Sequence, residues 1–197
     1  MRGTAAALLA ALALAGCVAP GVAPDAGNIP VRVEVPEGYP PKIGDVTAQV
    51  NGVAQRWQVY DYSIGALDAA AQIRDAGGAV EFRLLGVPAG IPLGDSNRLA
   101  VRAVMAGKLA TGATRDVVIE IVAGKDWDGL RLSSVGQAAE LVLDEVQDRG
   151  ADGGYGHVTG RFSATVCTAK GDPVRVDASR CQSITGTFDT RIQFENL

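Results

Sequence analysis

The sequence predicts an all-β fold: an antiparallel β-sandwich or open barrel of about ten strands. Three observations carry this prediction. Apolar and polar residues alternate with a period of two through most of the chain after residue 30. Turn signals built on Gly, Asn, Asp and Pro interrupt that alternation roughly every 8–12 residues. No segment offers a long stripe of apolar residues at helical spacing, and no repeat of fixed period appears.

The chain begins differently. Met1 and Arg2 give a short positive start, and Ala5 to Ala15 form an apolar run rich in Ala and Leu. A bilayer span needs about 20 apolar residues, so this run is too short to cross one. It has the length of a secretory h-region, followed by small residues suited to cleavage. The next stretch, Val18 to Pro30, is dominated by Ala, Pro and Gly and shows neither periodicity. It reads as a flexible tether, and its 13 residues reach roughly 45 Å when stretched.

The strands follow in order. Val31, Val33 and Val35 alternate with Arg32 and Glu34. Val46, Ala48 and Val50 alternate with Thr47 and Gln49, and Asn51-Gly52 reads as a hairpin turn into Gln55–Tyr62. In that return strand Trp57, Val59 and Asp61 share one side, and Arg56, Gln58, Tyr60 and Tyr62 the other. Leu67, Ala69, Ala71 and Ile73 alternate next, although an Ala-rich helix over Gly65–Asp75 competes with a strand there. Asp75 to Gly78 turns the chain, and Val80, Phe82 and Leu84 return. Gly86 to Asn97, with two prolines, reads as a loop.

Leu99, Val101, Ala103 and Met105 form one face of a strand. Val118 to Val122 is nearly continuously apolar, as in a strand covered on both sides. Gly124 to Gly129 is a turn. Glu140–Val146 reads as a strand, with a short helical stripe through Leu141, Val142 and Val146 as the alternative. The C-terminal part predicts two long strands, Val158 with Arg161–Cys167, and Ile184–Phe194. The turn chemistry of Lys170–Pro173 and Asp177–Arg180 lies between them.

Leu14-Ala15-Gly16-Cys17 resembles the lipobox of bacterial lipoprotein precursors, a four-residue motif that ends on an obligatory Cys. The resemblance implies a signal peptide over 1–16, lipidation of Cys17 as the mature N-terminus, a lipidated tether over 17–30 and one folded domain over 31–197. Each buried lipid CH₂ contributes about 0.8 kcal/mol, so several acyl chains would hold the protein on a membrane stably. Val18 follows the Cys where an Asp would favour inner-membrane retention. The implied location is therefore the outer membrane, on its periplasmic face rather than the cell surface. The C-terminal hairpin is loosely similar to those of uncharacterised β-sandwich lipoproteins, a likeness that implies a fold and no activity.

With Cys17 acylated in an oxidising compartment, Cys167 and Cys181 remain as an expected disulfide pair. Removing residues 1–16 takes away only Arg2, which leaves 17 basic side chains against 22 acidic ones. Nucleic acid is thereby excluded as a partner, since phosphate binding needs a concentrated basic face. The partners expected are the membrane, through the anchor, and an envelope protein.

Motifs for chemistry are lacking. There is no Gly-x-Ser-x-Gly elbow, no His-Glu-x-x-His, no Cys-x-x-Cys and no phosphate-binding Gly-rich loop. His157 is the single imidazole and sits beside a glycine turn, more in keeping with a surface residue than with a general base. Asp126, Asp128, Asp148 and Asp152 faintly resemble calcium-loop acids without the full ligand spacing. No cofactor and no metal are expected. Trp57 and Trp127, with Tyr60 and Tyr62, are the candidate ligand-stacking residues, core packing being their other use. The reading is a structural or protein-interaction module rather than an enzyme. A small-ligand or glycan-binding protein is the alternative, and a carboxylate-dependent hydrolase comes third.

Overall fold

The computed structural model describes residues 40–61, 69–73, 78–88, 97–124, 129–148 and 155–195. All are strand, turn or irregular chain, with no helix among the described residues. The strands are β1 (Lys42–Val50), β2 (Val53–Tyr60), β3 (Ala69–Ile73), β4 (Val80–Pro88), β5 (Arg98–Met105), β6 (Gly112–Ala113), β7 (Arg115–Val122), β8 (Arg131–Ser133), β9 (Ala139–Gln147), β10 (Gly156–Lys170) and β11 (Arg175–Glu195). The expected strand at Val31–Val35 lies outside the described residues, as do Cys17, the tether, Tyr62 and Trp127.

All eleven strands belong to one sheet, in the order β2-β1-β11-β3-β4-β5-β7-β8-β10-β9-β6. β10 and β11 also pair with each other, so the hydrogen bonding runs in a ring from β11 through β3, β4, β5, β7, β8 and β10 back to β11. Every pairing is antiparallel except β11 with β3. The all-β reading therefore holds, and its two layers are opposite sides of one continuous sheet. Phe82 of β4 meets Phe188 of β11 across the interior, ring centroids 5.7 Å apart.

Alternation explains which face each strand buries. In β11, Ile184, Phe188, Thr190 and Ile192 are buried, while Thr185, Thr187, Asp189 and Arg191 are exposed. Ile119 and Ile121 of β7 point into the same core as Leu99 and Val101 of β5 and Leu141 and Leu143 of β9. Burying each such side chain contributes about 1.5–3 kcal/mol. The apolar run in β7 is covered on both faces, since Glu120 and Val122 are buried as well.

Turn chemistry settles the β1–β2 hairpin. Asn51 and Gly52 both have positive φ, 49° and 78°, the backbone that a two-residue type I′ turn requires. Tyr60 departs from the expected sidedness, since it is buried together with Trp57 and Val59. The cause is a register shift between Lys42 and Gly44 of β1, a bulge that re-aims the end of the hairpin.

Three further departures from the sequence reading have physical reasons. β4 continues to Pro88 where a loop was expected, because Val87 and Pro88 meet Gln58 and Trp57 of β2. β6 and β8, which the sequence does not announce, are short strands held by their neighbours: β6 by β9, and β8 by β7 and β10. The Ala-rich segment, by contrast, is the strand expected of its alternation: Ala69–Ile73 is paired on both sides, by β4 and β11. Asp177–Arg180 is no separate turn but part of β11. Cys167 pairs with Cys181 and Thr168 with Asp177, so residues 178–180 bulge out of the ladder. The Asp177 carboxylate accepts hydrogen bonds from the Ser179 hydroxyl (2.6 Å) and the Ser179 amide (3.0 Å). Those bonds, the hydroxyl's first, hold its pKa below the usual 3.8, with the Arg180 charge adding to them.

Cys167 and Cys181 form a disulfide directly across β10 and β11, at the base of that bulge. Closing a loop of about 15 residues contributes on the order of 3 kcal/mol in the chain-entropy model. For a domain of this size the double variant Cys167→Ala/Cys181→Ala should melt roughly 6–12 °C lower. Calorimetry of the two proteins side by side checks this, and equal melting temperatures would refute it.

Two glycines in the same hairpin face phenylalanines. Gly160 of β10 lies opposite Phe188, and Gly186 of β11 lies opposite Phe162. A Cβ on Gly160 would sit 2.6 Å from the Phe188 ring and 2.6 Å from the Val142 carbonyl oxygen. One of these neighbours is backbone and gives little. Gly160→Ala should therefore cost about 1–3 kcal/mol, read as a lower urea midpoint with an unchanged slope.

Candidate functional site

The strands β2-β1-β11-β10-β9 present one broad outward face, and the registers align its side chains in rows. Arg56, Thr47, Thr187 and Arg161 lie opposite one another in succession from β2 to β10, and Val142 of β9 ends the row. The next row runs Ala54, Gln49, Thr185, Ser163 and Glu140. These two rows enclose a groove of about 660 Å³, within the 300–1,000 Å³ usual for ligand sites.

The groove follows from side-chain length. Its central strands contribute short hydroxyl side chains, with the Thr47 and Thr187 hydroxyls 3.2 Å apart. Longer side chains, Arg56 on one wall and Arg161 and Glu140 on the other, stand at the margins. Strands are spaced about 4.8 Å apart, so the two arginine backbones are about 14 Å from each other. Beneath the hydroxyls, Ala48 and Phe162 send their side chains the other way, into the core. Arg161 is ion-paired with Asp144. Two guanidinium groups and the Glu140 carboxylate thus stand at the walls, and Asp144 pairs with Arg161 from just outside the lining.

One step along the same face the character changes. Asp45 lies opposite Asp189, a like-charge pair that is unfavourable by itself. Each acid has a basic companion: Lys42 is 2.7 Å from Asp45, and His157 Nε2 is 2.7 Å from Asp189. Arg191, opposite His157, lies over the Tyr155 ring at 4.6 Å. His157 is thus engaged with Asp189 on an open sheet face. The residue facing Asp189 across β10 is Thr159.

Among the described residues the buried charges lie elsewhere, on β5, β7 and β8. Glu120 is 4% exposed. Its Oε1 accepts from the Ser133 hydroxyl (2.9 Å) and is 3.1 Å from Arg131 Nε, while Oε2 accepts from Arg102 at 3.1 Å. Arg131 in turn donates to the Gly171 carbonyl, and Arg98 to that of Gly124. Both oxygens of Glu120 are committed to neighbours, so this cluster fastens three strands and the end of the β10–β11 hairpin.

The residues named from the sequence fall as follows. Trp57 is 2% exposed, and its indole donates to the Asn97 carbonyl at 2.6 Å. It is a core residue with no ring face open for stacking, and its Tyr60 neighbour is equally buried. Trp127, Asp126, Asp128 and Asp152 lie outside the described residues, and Asp148 is exposed at the end of β9. Among the described residues no three His, Cys, Asp or Glu side chains converge as metal ligands. The groove residues were not singled out by the sequence. The one signal for them is that the polar half of the alternation in β1, β10 and β11 uses Thr, Gln and Ser more than Lys or Glu. No protein-family model, curated protein or solved structure matches the chain.

Removing the Glu120 side chain would take away the carboxylate 3.1 Å from the buried Arg131 guanidinium. Glu120→Ala should therefore destabilise the protein by about 3–5 kcal/mol. Chemical denaturation measures the loss. A change under about 1 kcal/mol would mean that the cluster is no more than a surface ion pair.

Proposed function

We propose that the protein is a lipid-anchored recognition module of the bacterial envelope, held at the outer membrane through Cys17 and working through the groove on the β2-β1-β11-β10-β9 face. The observation that carries the recognition half of this reading is the groove itself, a concavity with a row of hydroxyl side chains, built from aligned rows on five strands. The anchor rests on Leu14-Ala15-Gly16-Cys17 and the apolar run before it.

A binding role is preferred to a hydrolytic one on chemical grounds. A glycosidase needs two carboxyl groups flanking the scissile bond, one of them held protonated by its surroundings. Glu140 at the wall and Asp144 beyond it are both exposed, and Arg161 is ion-paired to Asp144. Recruitment of a partner strand at an edge is the second reading. It is favoured by the first half of β2, where Val53 is 59% exposed and the described pairing to β4 involves only Trp57 and Gln58. That edge is short and carries Arg56, a charged residue of the kind that discourages strand addition.

Replacing Cys17 by Ser should release the protein from the membrane fraction, as read by fractionation of cells expressing each form. A photoreactive residue at position 47 or 187 should form adducts in the intact envelope, and one at Arg83 or Arg102, outside the groove, should not. Equal labelling from all four positions would count against the groove as the working surface.

A further inference from the structure

Resting on that reading of the groove, we infer that its ligand is a neutral, hydroxyl-rich glycan segment bound through hydrogen bonds rather than by stacking. Three properties of the site select this chemistry. The first is charge balance. The lining carries Arg56, Arg161 and Glu140, and Asp144, just outside the lining, is ion-paired to Arg161, so with that partner counted the site has two charges of each sign and no net charge for an anionic or cationic ligand to complement. The second is the nature of the donors and acceptors. Thr47, Thr185, Thr187 and Ser163 each offer a hydroxyl that both gives and takes a hydrogen bond, while Gln49 and Arg56 offer planar, paired groups. Such a set matches adjacent hydroxyls on a sugar ring, which likewise both donate and accept.

The third property is what the groove lacks among its described lining. Its one aromatic, Phe162, is 3% exposed and belongs to the core, so neither a nucleic-acid base nor a sugar face finds a platform. The strands beneath are paired on both sides through Thr47–Gln49, Thr185–Thr187 and Arg161–Ser163. Their backbone groups are therefore spent, and a peptide cannot bind here by adding a strand. A lipid surface would need an apolar patch, and the large apolar residues exposed among the described ones, Val53, Leu130 and Tyr155, are not groove residues.

The test uses the mature lipidated protein in detergent micelles on an immobilised panel of neutral and acidic bacterial oligosaccharides. Binding should concentrate on neutral members and change less than about twofold between low salt and ~0.3 M salt, because no net charge is being screened. The double variant Gln49→Ala/Thr187→Val, both positions being on the outward face, should weaken that binding at least about tenfold, the loss of 1.4 kcal/mol expected when two such hydrogen bonds go. Its melting temperature should stay unchanged. Binding confined to acidic members, with steep salt dependence, would overturn the neutral assignment. A blank panel would overturn the glycan class. Neutral binding that the double variant leaves intact would instead overturn the groove as the site.

Discussion

The pairing of β10 with β11 is the constraint on which the rest of the structure depends. Fifteen registered pairs join them, from Gly156–Ile192 to Lys170–Arg175, and between them these two strands also hold β1, β3, β8 and β9. What allows so long a ladder to stay in register is the reciprocal pairing of Gly160 with Phe188 and Phe162 with Gly186. Each ring lies over the position where the opposite residue has no side chain, which leaves room for two phenylalanines in adjacent rungs of one face. A slip of a single residue between the two strands would turn Phe162 or Phe188, whichever strand moved, away from the core. The disulfide at Cys167–Cys181 then closes the ladder just before residues 178–180 bulge from it.

The same register makes the outward face. Because side chains alternate, fixing Phe162, Ile184 and Phe188 inward fixes Arg161, Ser163, Thr185 and Thr187 outward, in line with Thr47 and Gln49 of β1. Core and groove are therefore two consequences of one choice of pairing. Short hydroxyls over the central strands make a hollow only because Arg56, Arg161 and Glu140 stand taller at its sides. The buried Glu120 cluster does separate work on the other side of the ring, joining β5, β7 and β8, where the β7 segment from Ile119 to Val122 has no solvent face.

Local chemistry was legible in the sequence, and juxtaposition was not. Asn51-Gly52 announced its turn because only a few residues tolerate two successive positive φ values. The long alternations at Arg161–Cys167 and Ile184–Phe194 announced strands because Phe, Val, Thr and Ile suit a half-buried sheet. Asp177–Arg180 was read correctly as a departure from regular strand but placed as a connection, since nothing local says that β11 resumes pairing with Val176 and Arg175 beyond it. Trp57 was given the right side of its strand. What its ring would meet came from Asn97, 40 residues away. Arg131–Ser133 has too little apolar character to read as a strand and is one only because β7 and β10 flank it. The groove was the least legible part, because its rows bring together residues as far apart as Thr47 and Thr187.

A groove that recognises its ligand through hydroxyls and amides alone exchanges bonds to water for bonds to ligand, and each contributes only about 0.5–1.5 kcal/mol net. Such a site binds weakly as a free domain. On the proposed reading the anchor changes the arithmetic, because a protein held on a membrane by a tether of roughly 45 Å samples a thin layer rather than the whole compartment. The effective concentration of a ligand fixed in that layer rises accordingly, and several weak sites on one surface act together. The features that make the groove poor as an isolated receptor, namely its openness, its lack of an aromatic platform and its balanced charge, are then consistent with a module whose hold on its partner comes from being kept beside it.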